Sequence, residues 1–271
     1  MITILFSKDR AMQCDLAINS LKENCIGEHK VHVLYACSNK RHEESYKTLM
    51  NEHPQIFFHK ENNFKLDLLE LVKDQDYVMF LVDDNIFTNN FNVYHILRLL
   101  NAHPESIGFS LRLGVNTTYC YSLDQEQEIP PCVKLADNIL MFGWGEAKAD
   151  FNYPLELSSS IYKVKNILPI LNNTDYSNPN GLEWNMACSS PMFKSTKPML
   201  MCYEQSVAFC NPINKTQRVN NNRSGTNIQY SIDSLLTNFE KRGKIIYSPF
   251  KGFISNACHQ EVDIIINYKE R

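Results

Sequence analysis

Six apolar residues in a row, Tyr77-Val78-Met79-Phe80-Leu81-Val82, run straight into Asp83-Asp84-Asn85. An unbroken apolar run of this length reads as a parallel strand buried on both faces, because a strand with one wet face would alternate. The run stops on two carboxylates and an amide, which are expected to have no apolar cover. That places the acids at the strand's C-terminal end, where open α/β sheets bind their ligands. Adjacent carboxylates repel, and a divalent cation with oxygen ligands relieves the repulsion and bridges to phosphate oxygens. The competing interpretation is a helix N-cap, since Asp and Asn both suit that position and a helix is expected from near Phe91.

The flanking sequence fits a parallel sheet. Ile2 to Phe6 reads as a first strand, followed by Ser7-Lys8-Asp9-Arg10 at its C-terminal end. Ala11, Cys14, Ala17, Ile18, Leu21 and Cys25 then recur at helical spacing up to Gly27. Val31, Val33 and Tyr35 alternate as a second strand, Arg41 to Asn51 is a largely polar helix, and Gln55 to His59 is a third strand. Leu66, Leu69 and Val72 mark a helix before the strand that ends at Asp83. Val93, Ile96, Leu97 and Leu100 form the apolar side of the next helix, and Ile107 to Leu111 is a fifth strand ending on Arg112. Strand–helix alternation of this kind predicts a Rossmann-like, mainly parallel sheet with right-handed crossovers. Neither G-x-G-x-x-G nor G-x-x-x-x-G-K-S/T occurs, so a nucleotide here would be held by metal and side chains.

The second half is less regular. Ile139 to Phe142 reads as a strand, followed by Gly143-Trp144-Gly145. Ile161 to Leu171 carries helical periodicity. Asn178-Pro179-Asn180-Gly181 signals a turn, and Leu182-Glu183-Trp184-Asn185-Met186 opens a helix after it. Residues 211–227 are polar and Asn-rich, with Lys215, Arg218 and Arg223, and are expected to form a surface loop, either one with incidental charge or a lid that orders over a pyrophosphate. A helix through Ile228, Ile232, Leu235, Leu236 and Phe239, closed by Gly243, and a strand Ile245-Ile246-Tyr247 follow. No linker divides the chain, so residues 1–271 are expected to be one domain, with 1–105 binding nucleotide and 106–271 binding acceptor.

Bulk properties exclude some classes. The net charge is −3 and no long Lys/Arg run occurs, which argues against nucleic acid as a partner. No apolar window is long enough for a transmembrane helix, although peripheral contact with a membrane remains compatible. The start of the chain lacks the pattern of a signal peptide. Nine cysteines, odd in number and without C-x-x-C, fit reduced thiols in the cytoplasm better than a disulfide framework or zinc site.

The acidic motif after a fourth strand resembles the D-x-D motif of GT-A fold glycosyltransferases, family-2-like and of bacterial type. Phe6-Ser7-Lys8-Asp9-Arg10-Ala11-Met12-Gln13, Gly108-Phe109-Ser110-Leu111-Arg112-Leu113-Gly114 and Asn178-Pro179-Asn180 with Glu183 are similar to segments of that group. The resemblance spans most of the chain and implies a metal-dependent transfer, inverting and hexosyltransferase-type, from a nucleotide-sugar such as a UDP-sugar. The acceptor would be a hydroxyl of a glycan or lipid-linked glycan, as in polysaccharide biosynthesis. It implies Mn²⁺ or Mg²⁺ held by Asp83, Asp84 and His259. Asn85 departs from the motif, being a neutral and poorer ligand. Donor binding falls to Ser7, Lys8, Asp9, Arg10, Lys65, Asp83 and Arg112. Glu183 is the candidate general base, against the alternative of an acid favoured by a helix N-terminus. Trp144 and Tyr153 are candidates for stacking on a sugar face. The rival functions are a nucleotidyltransferase, disfavoured by the glycine-free first loop, and a non-catalytic nucleotide-sugar-binding domain.

Overall fold

A computed structural model describes residues 1–136, 138–215, 225 and 227–268. Among these residues, nine strands form one sheet that draws on both halves of the chain. They are β1 (Ile2–Lys8), β2 (Lys30–Ala36), β3 (Phe57–Lys60), β4 (Tyr77–Val82), β5 (Ser106–Ser110), β6 (Cys132–Ala136), β7 (Ile139–Gly143), β8 (Ser160–Lys163) and β9 (Met199–Tyr203). Their spatial order is β6-β7-β9-β5-β8-β4-β1-β2-β3. Only β7 and β8 run against the other seven. The sheet is therefore mainly parallel, as expected. Its five first-half strands all point the same way.

Residues alternate between the two faces of each strand, and each face is covered. Leu5, Val33, Met79, Leu81 and Phe109 pack on one side, under α1 (Ala11–Asn24), α2 (Lys40–Glu52), α4 (Val93–Ala102) and α7 (Ile232–Glu240). Ile4, Phe6, Val78 and Phe80 pack on the other, under α3 (Phe64–Val72), α5 (Val164–Asn173) and α6 (Pro179–Ser189). Four helices start on asparagine: Asn39, Asn63, Asn92 and Asn178 each accept a hydrogen bond from the backbone N–H three residues on. Each satisfies a donor that the helix leaves open. Because Asn92 caps α4, the acidic run at 83–85 is not a helix cap.

Several sequence expectations shift. β8, an antiparallel strand, is inserted between β4 and β5. It takes up Ile161 and Tyr162, so the periodic stretch from Ile161 is a strand first and a helix only from Val164. Tertiary pairing overrides the helical spacing there. α6 begins at Pro179, inside the expected turn. Ile228 is 83% exposed in a separate 3-10 turn, and α7 begins at Ile232. Gly243 opens a short strand, Gly243–Ile245, after the left-handed Arg242 (φ 65°) has ended the helix. Ile246 and Tyr247 lie outside that strand. Trp144 is 1% exposed and donates its indole N–H to the Lys197 carbonyl at 2.8 Å, so it is a core residue and unavailable to a sugar.

Candidate functional site

The parallel register between β1 and β4 pairs Phe6 with Val82. It thereby sets Ser7 beside Asp83 at one sheet edge. Ser7 Oγ donates to Asp83 Oδ2 at 2.9 Å, and the Lys8 N–H reaches the same oxygen at 3.3 Å. The Ser7 hydroxyl also lies 2.5 Å from the phenol of Tyr46 on α2. Chain reversal between β1 and α1 goes through Asp9 in the left-handed region (φ 59°). Arg10 is thereby delivered to both acids: its Nη1 lies 2.9 Å from Asp83 Oδ1 and 3.4 Å from Asp84 Oδ2.

Asp84 is the under-satisfied member of the pair. Its Oδ1 is buried with no hydrogen-bond partner of normal geometry among the described residues. Burial pushes its carboxyl up from the ordinary range, Arg10 draws it down, and Asp83 pushes it further up. Asn85 does other work. Its carbonyl accepts the Val82 N–H at 2.8 Å, and its amide donates to Cys210 Sγ at 3.2 Å. Both ends of the side chain are used to close the turn, so Asn85 is not a free ligand.

The acids are covered, contrary to the sequence reading. Gln13, Leu16, Ile86, Asn211, Ile213, Ile245 and Ile264 close over Asp83 and Asp84 around a cavity of about 10 Å³. That is room for about one water. The cover comes from far along the chain, with Asn211 N–H bonded to the Asp84 carbonyl at 2.8 Å.

A second cluster centres on Arg112, just past β5. Arg112 is buried, and its Nε lies 3.6 Å from Glu156 Oε2. Glu156 is held by the Ser158 N–H and the Ser160 hydroxyl. Gly108 makes room for this loop. A Cβ there would stand 2.8 Å from the ring of Tyr162, whose hydroxyl donates to the Glu156 carbonyl at 2.8 Å. Glu183, on α6, accepts the Leu157 N–H at 3.2 Å. It lies beyond the first turn of α6, so it is not an acid attracted to the helix N-terminus. Burial pushes the Glu183 carboxyl up; Arg112 draws it down, and Glu156 and Asp84 raise it. Tyr153 is half-buried beside Glu183 and Arg112, and burial pushes its phenol up.

His259 joins the two clusters through backbone. Its neighbours Cys258 and Gln260 bond to Cys210 at 2.9 and 3.0 Å, one residue before the cover over Asp84. Burial and then Arg112 lower His259 to about 3, so its imidazole is neutral. Asp83, Asp84 and His259 do not bring three ligand atoms within 4.8 Å of one another. Among the described residues Asp15, Glu52 and His53 do. Lys244 is ion-paired to both of those acids, so that group already holds a resident cation.

The remaining candidates are engaged elsewhere. Asp9 accepts from the Ser38 N–H at 2.7 Å and from its hydroxyl, tying β1 to the loop before α2. Lys65 donates to the carbonyls of Asn172 and Thr174 at 3.0 and 2.8 Å, at the C-terminal end of α5. Lys8 is exposed, and its backbone serves Asp83. Of the expected lid, Arg218 and Arg223 lie outside the described residues. Sequence reasoning missed Tyr46, Gln13, Asn214 and Glu156. The serine run 158–160 was the one available signal for Glu156, since donors that dense imply a buried acceptor.

No family model matches the chain. It is similar to the bifunctional glycosyltransferase pgtA of Dictyostelium discoideum, 34% identical over 209 residues that cover 67% of this chain and 27% of that protein. The chain thus spans about a quarter of the length of that curated relative. The resemblance to glycosyltransferases drawn from the motifs is matched by that named relative. Among solved structures, S. aureus TarS 1-349 in complex with UDP-GlcNAc superposes with a TM-score of 0.48 at 11% identity, covering 84% of this chain and 61% of that one. The mannosyltransferase PcManGT from Pyrobaculum calidifontis, in complex with GDP-Man and Mn²⁺, gives 0.42 at 10% identity, covering 73% and 53%. Among the described residues no helix is long and apolar enough to cross a membrane.

Proposed function

We propose that the chain is a GT-A-type glycosyltransferase domain. It moves a sugar from a nucleotide-sugar, a UDP-sugar in the first instance, to a hydroxyl of a glycan or lipid-linked glycan, with inversion. Residues 1–105 contribute the nucleotide side and 106–271 the acceptor side. The observation that carries this reading is the junction of Ser7, Arg10, Asp83 and the half-satisfied Asp84 at the C-terminal edge of parallel strands. The 34% identity to a glycosyltransferase supports it. The nine unpaired cysteines support a reducing, cytoplasmic setting.

The donor set suits a hard divalent cation: two adjacent carboxylates with one buried oxygen unclaimed. Bound Mn²⁺ or Mg²⁺ would neutralise the diphosphate and ease its departure. The chain's own groups do the rest. Asp83 and Asp84 would hold the cation, Ser7 and the Lys8 N–H orient Asp83, and Arg10 would meet diphosphate charge. Glu183 takes the acceptor's hydroxyl proton as that oxygen bonds to the anomeric carbon. The bond from that carbon to the diphosphate breaks, and its electron pair leaves with the diphosphate. A carboxyl raised by burial is a better base near neutral pH than an ordinary one. Tyr153, beside Glu183, is placed to pack on the acceptor sugar.

The test is a panel of UDP-, GDP- and CDP-sugars with Mn²⁺, read by melting temperature and by nucleoside diphosphate release. A UDP-sugar should raise the melting temperature only with metal, and free UDP should accumulate slowly. Nucleotide binding indifferent to EDTA, or release of pyrophosphate from a nucleoside triphosphate, would overturn the reading.

A further inference from the structure

Arg10 does more in this structure than wait for a ligand. Its side chain is 10% exposed, and its Nη1 is shared between Asp83 and Asp84. Its Nη2 donates to the Asn214 carbonyl. Asn214 is itself fixed, accepting from Gln13 Nε2 at 2.9 Å and donating to the Tyr230 carbonyl at 2.7 Å. The guanidinium therefore latches the acid pair to the segment covering it, and the cavity left is about 10 Å³. A nucleotide does not fit there. Nor can a divalent cation share these oxygens with a guanidinium, because two cations in one buried site repel.

We propose that Arg10 is the resident counter-ion of Asp83 and Asp84 and that it leaves them for the diphosphate when a divalent cation takes the carboxylates. Its bonds to the acids are replaced by bonds to phosphate oxygens, which suit the guanidinium fork equally well. The cation and the nucleoside diphosphate then bind as a coupled pair, each weakly alone. Coupling is reciprocal: whatever factor UDP adds to Mn²⁺ affinity, Mn²⁺ adds to UDP affinity. The diphosphate rests on the glycosyltransferase reading, whereas competition between Arg10 and a cation does not.

Mn²⁺ binding followed by electron paramagnetic resonance, with and without UDP, tests the proposal without any turnover. In the wild type, UDP should tighten Mn²⁺ roughly 5–150-fold, the usual span of such couplings. Arg10→Gln should bind Mn²⁺ alone more tightly than wild type, and UDP should then add less than it adds to the wild type. Equal or weaker Mn²⁺ affinity in folded Arg10→Gln overturns the proposal. Wild-type Mn²⁺ affinity that UDP leaves unchanged, at UDP concentrations where UDP binds, also overturns it, even if the variant fails to fold. Tighter Mn²⁺ in Arg10→Gln with no nucleoside diphosphate bound by either protein keeps the counter-ion and defeats the glycosyltransferase reading instead.

Discussion

Two buried acid clusters lie close to α1, and they differ in one respect. Asp15 has both oxygens engaged: Oδ1 with His53 Nε2 at 2.7 Å and Oδ2 with Lys244 Nζ at 3.1 Å. His53 is backed by Lys22 at 2.7 Å, and Lys244 also holds Glu52. Burial alone would raise the Asp15 carboxyl, but His53 and Lys244 outweigh it and leave it lowered. Asp84 shares one arginine with Asp83, keeps an unclaimed oxygen, and is raised. A fully paired acid fastens helices together, and its charge is spent in the fold. A half-paired acid at a strand end retains attraction for a further cation. Among the described residues only the Asp15 group converges like a metal site, so the proposal for Asp84 rests on its unclaimed oxygen and not on convergence.

Mutations should separate the two clusters by what they damage. The largest effect is expected at the half-paired acid. Asp84→Ala should remove Mn²⁺-dependent nucleotide binding, with a small change in melting temperature. A cooperative unfolding defect with binding preserved would reverse the assignment. Glu183→Gln keeps the shape of the side chain and removes the base. Transfer should fall about 10²–10⁴-fold with donor affinity intact. The wild-type acid limb of kcat should lie above the ordinary carboxylate range, because the Glu183 carboxyl is raised, and the glutamine should erase that limb. An unchanged pH profile in the variant would count against the role.

Asp15→Ala should do the opposite of Asp84→Ala. It removes the acid that His53 Nε2 and Lys244 Nζ share, and breaking a buried pair typically costs about 3–5 kcal/mol. Nucleotide binding by the folded fraction should be untouched. The sign with pH is also distinct. The Asp15 carboxyl is lowered in the fold, so its contribution is present above the unfolded value and is lost as pH falls through the folded one. Denaturant melts across the acid range should show a shallower acid loss in the variant. If Asp15→Ala costs nothing in stability, the cluster is not a fastener and a cation there becomes the better account.

The smallest effect is expected at His259. Its imidazole is lowered from 6.5 to about 3, so the unfolded chain binds the proton more readily between those values. Stability contributed by the neutral ring is complete above about pH 6.5 and is lost as pH falls toward 3. His259→Gln should flatten that slope and leave stability at pH 8 nearly unchanged. A slope identical to wild type would mean that the ring protonates freely in the fold.

The sequence by itself determined the parallel core and the polar edge. The run Tyr77–Val82 can be buried only in a two-sided sheet, and the acids that end it must lie at the strand's C-terminal end, beside whatever follows β1. Those conclusions depend on local pattern and on the strand–helix alternation, both of which are written along the chain. Only the tertiary structure decided which acids are spent and which are left open. Asp83, Asp84, Asp15 and Glu156 are the same kind of side chain in the sequence. Their fates depend on Arg10, Lys244 and Arg112, and Lys244 lies 229 residues beyond Asp15. It also decided that β8 would enter the sheet between β4 and β5, and that Asn211–Asn214 would cover the acids. Charge compensation and strand insertion are long-range events. Their energies come from burial and from partners distant in sequence, and no local periodicity records either.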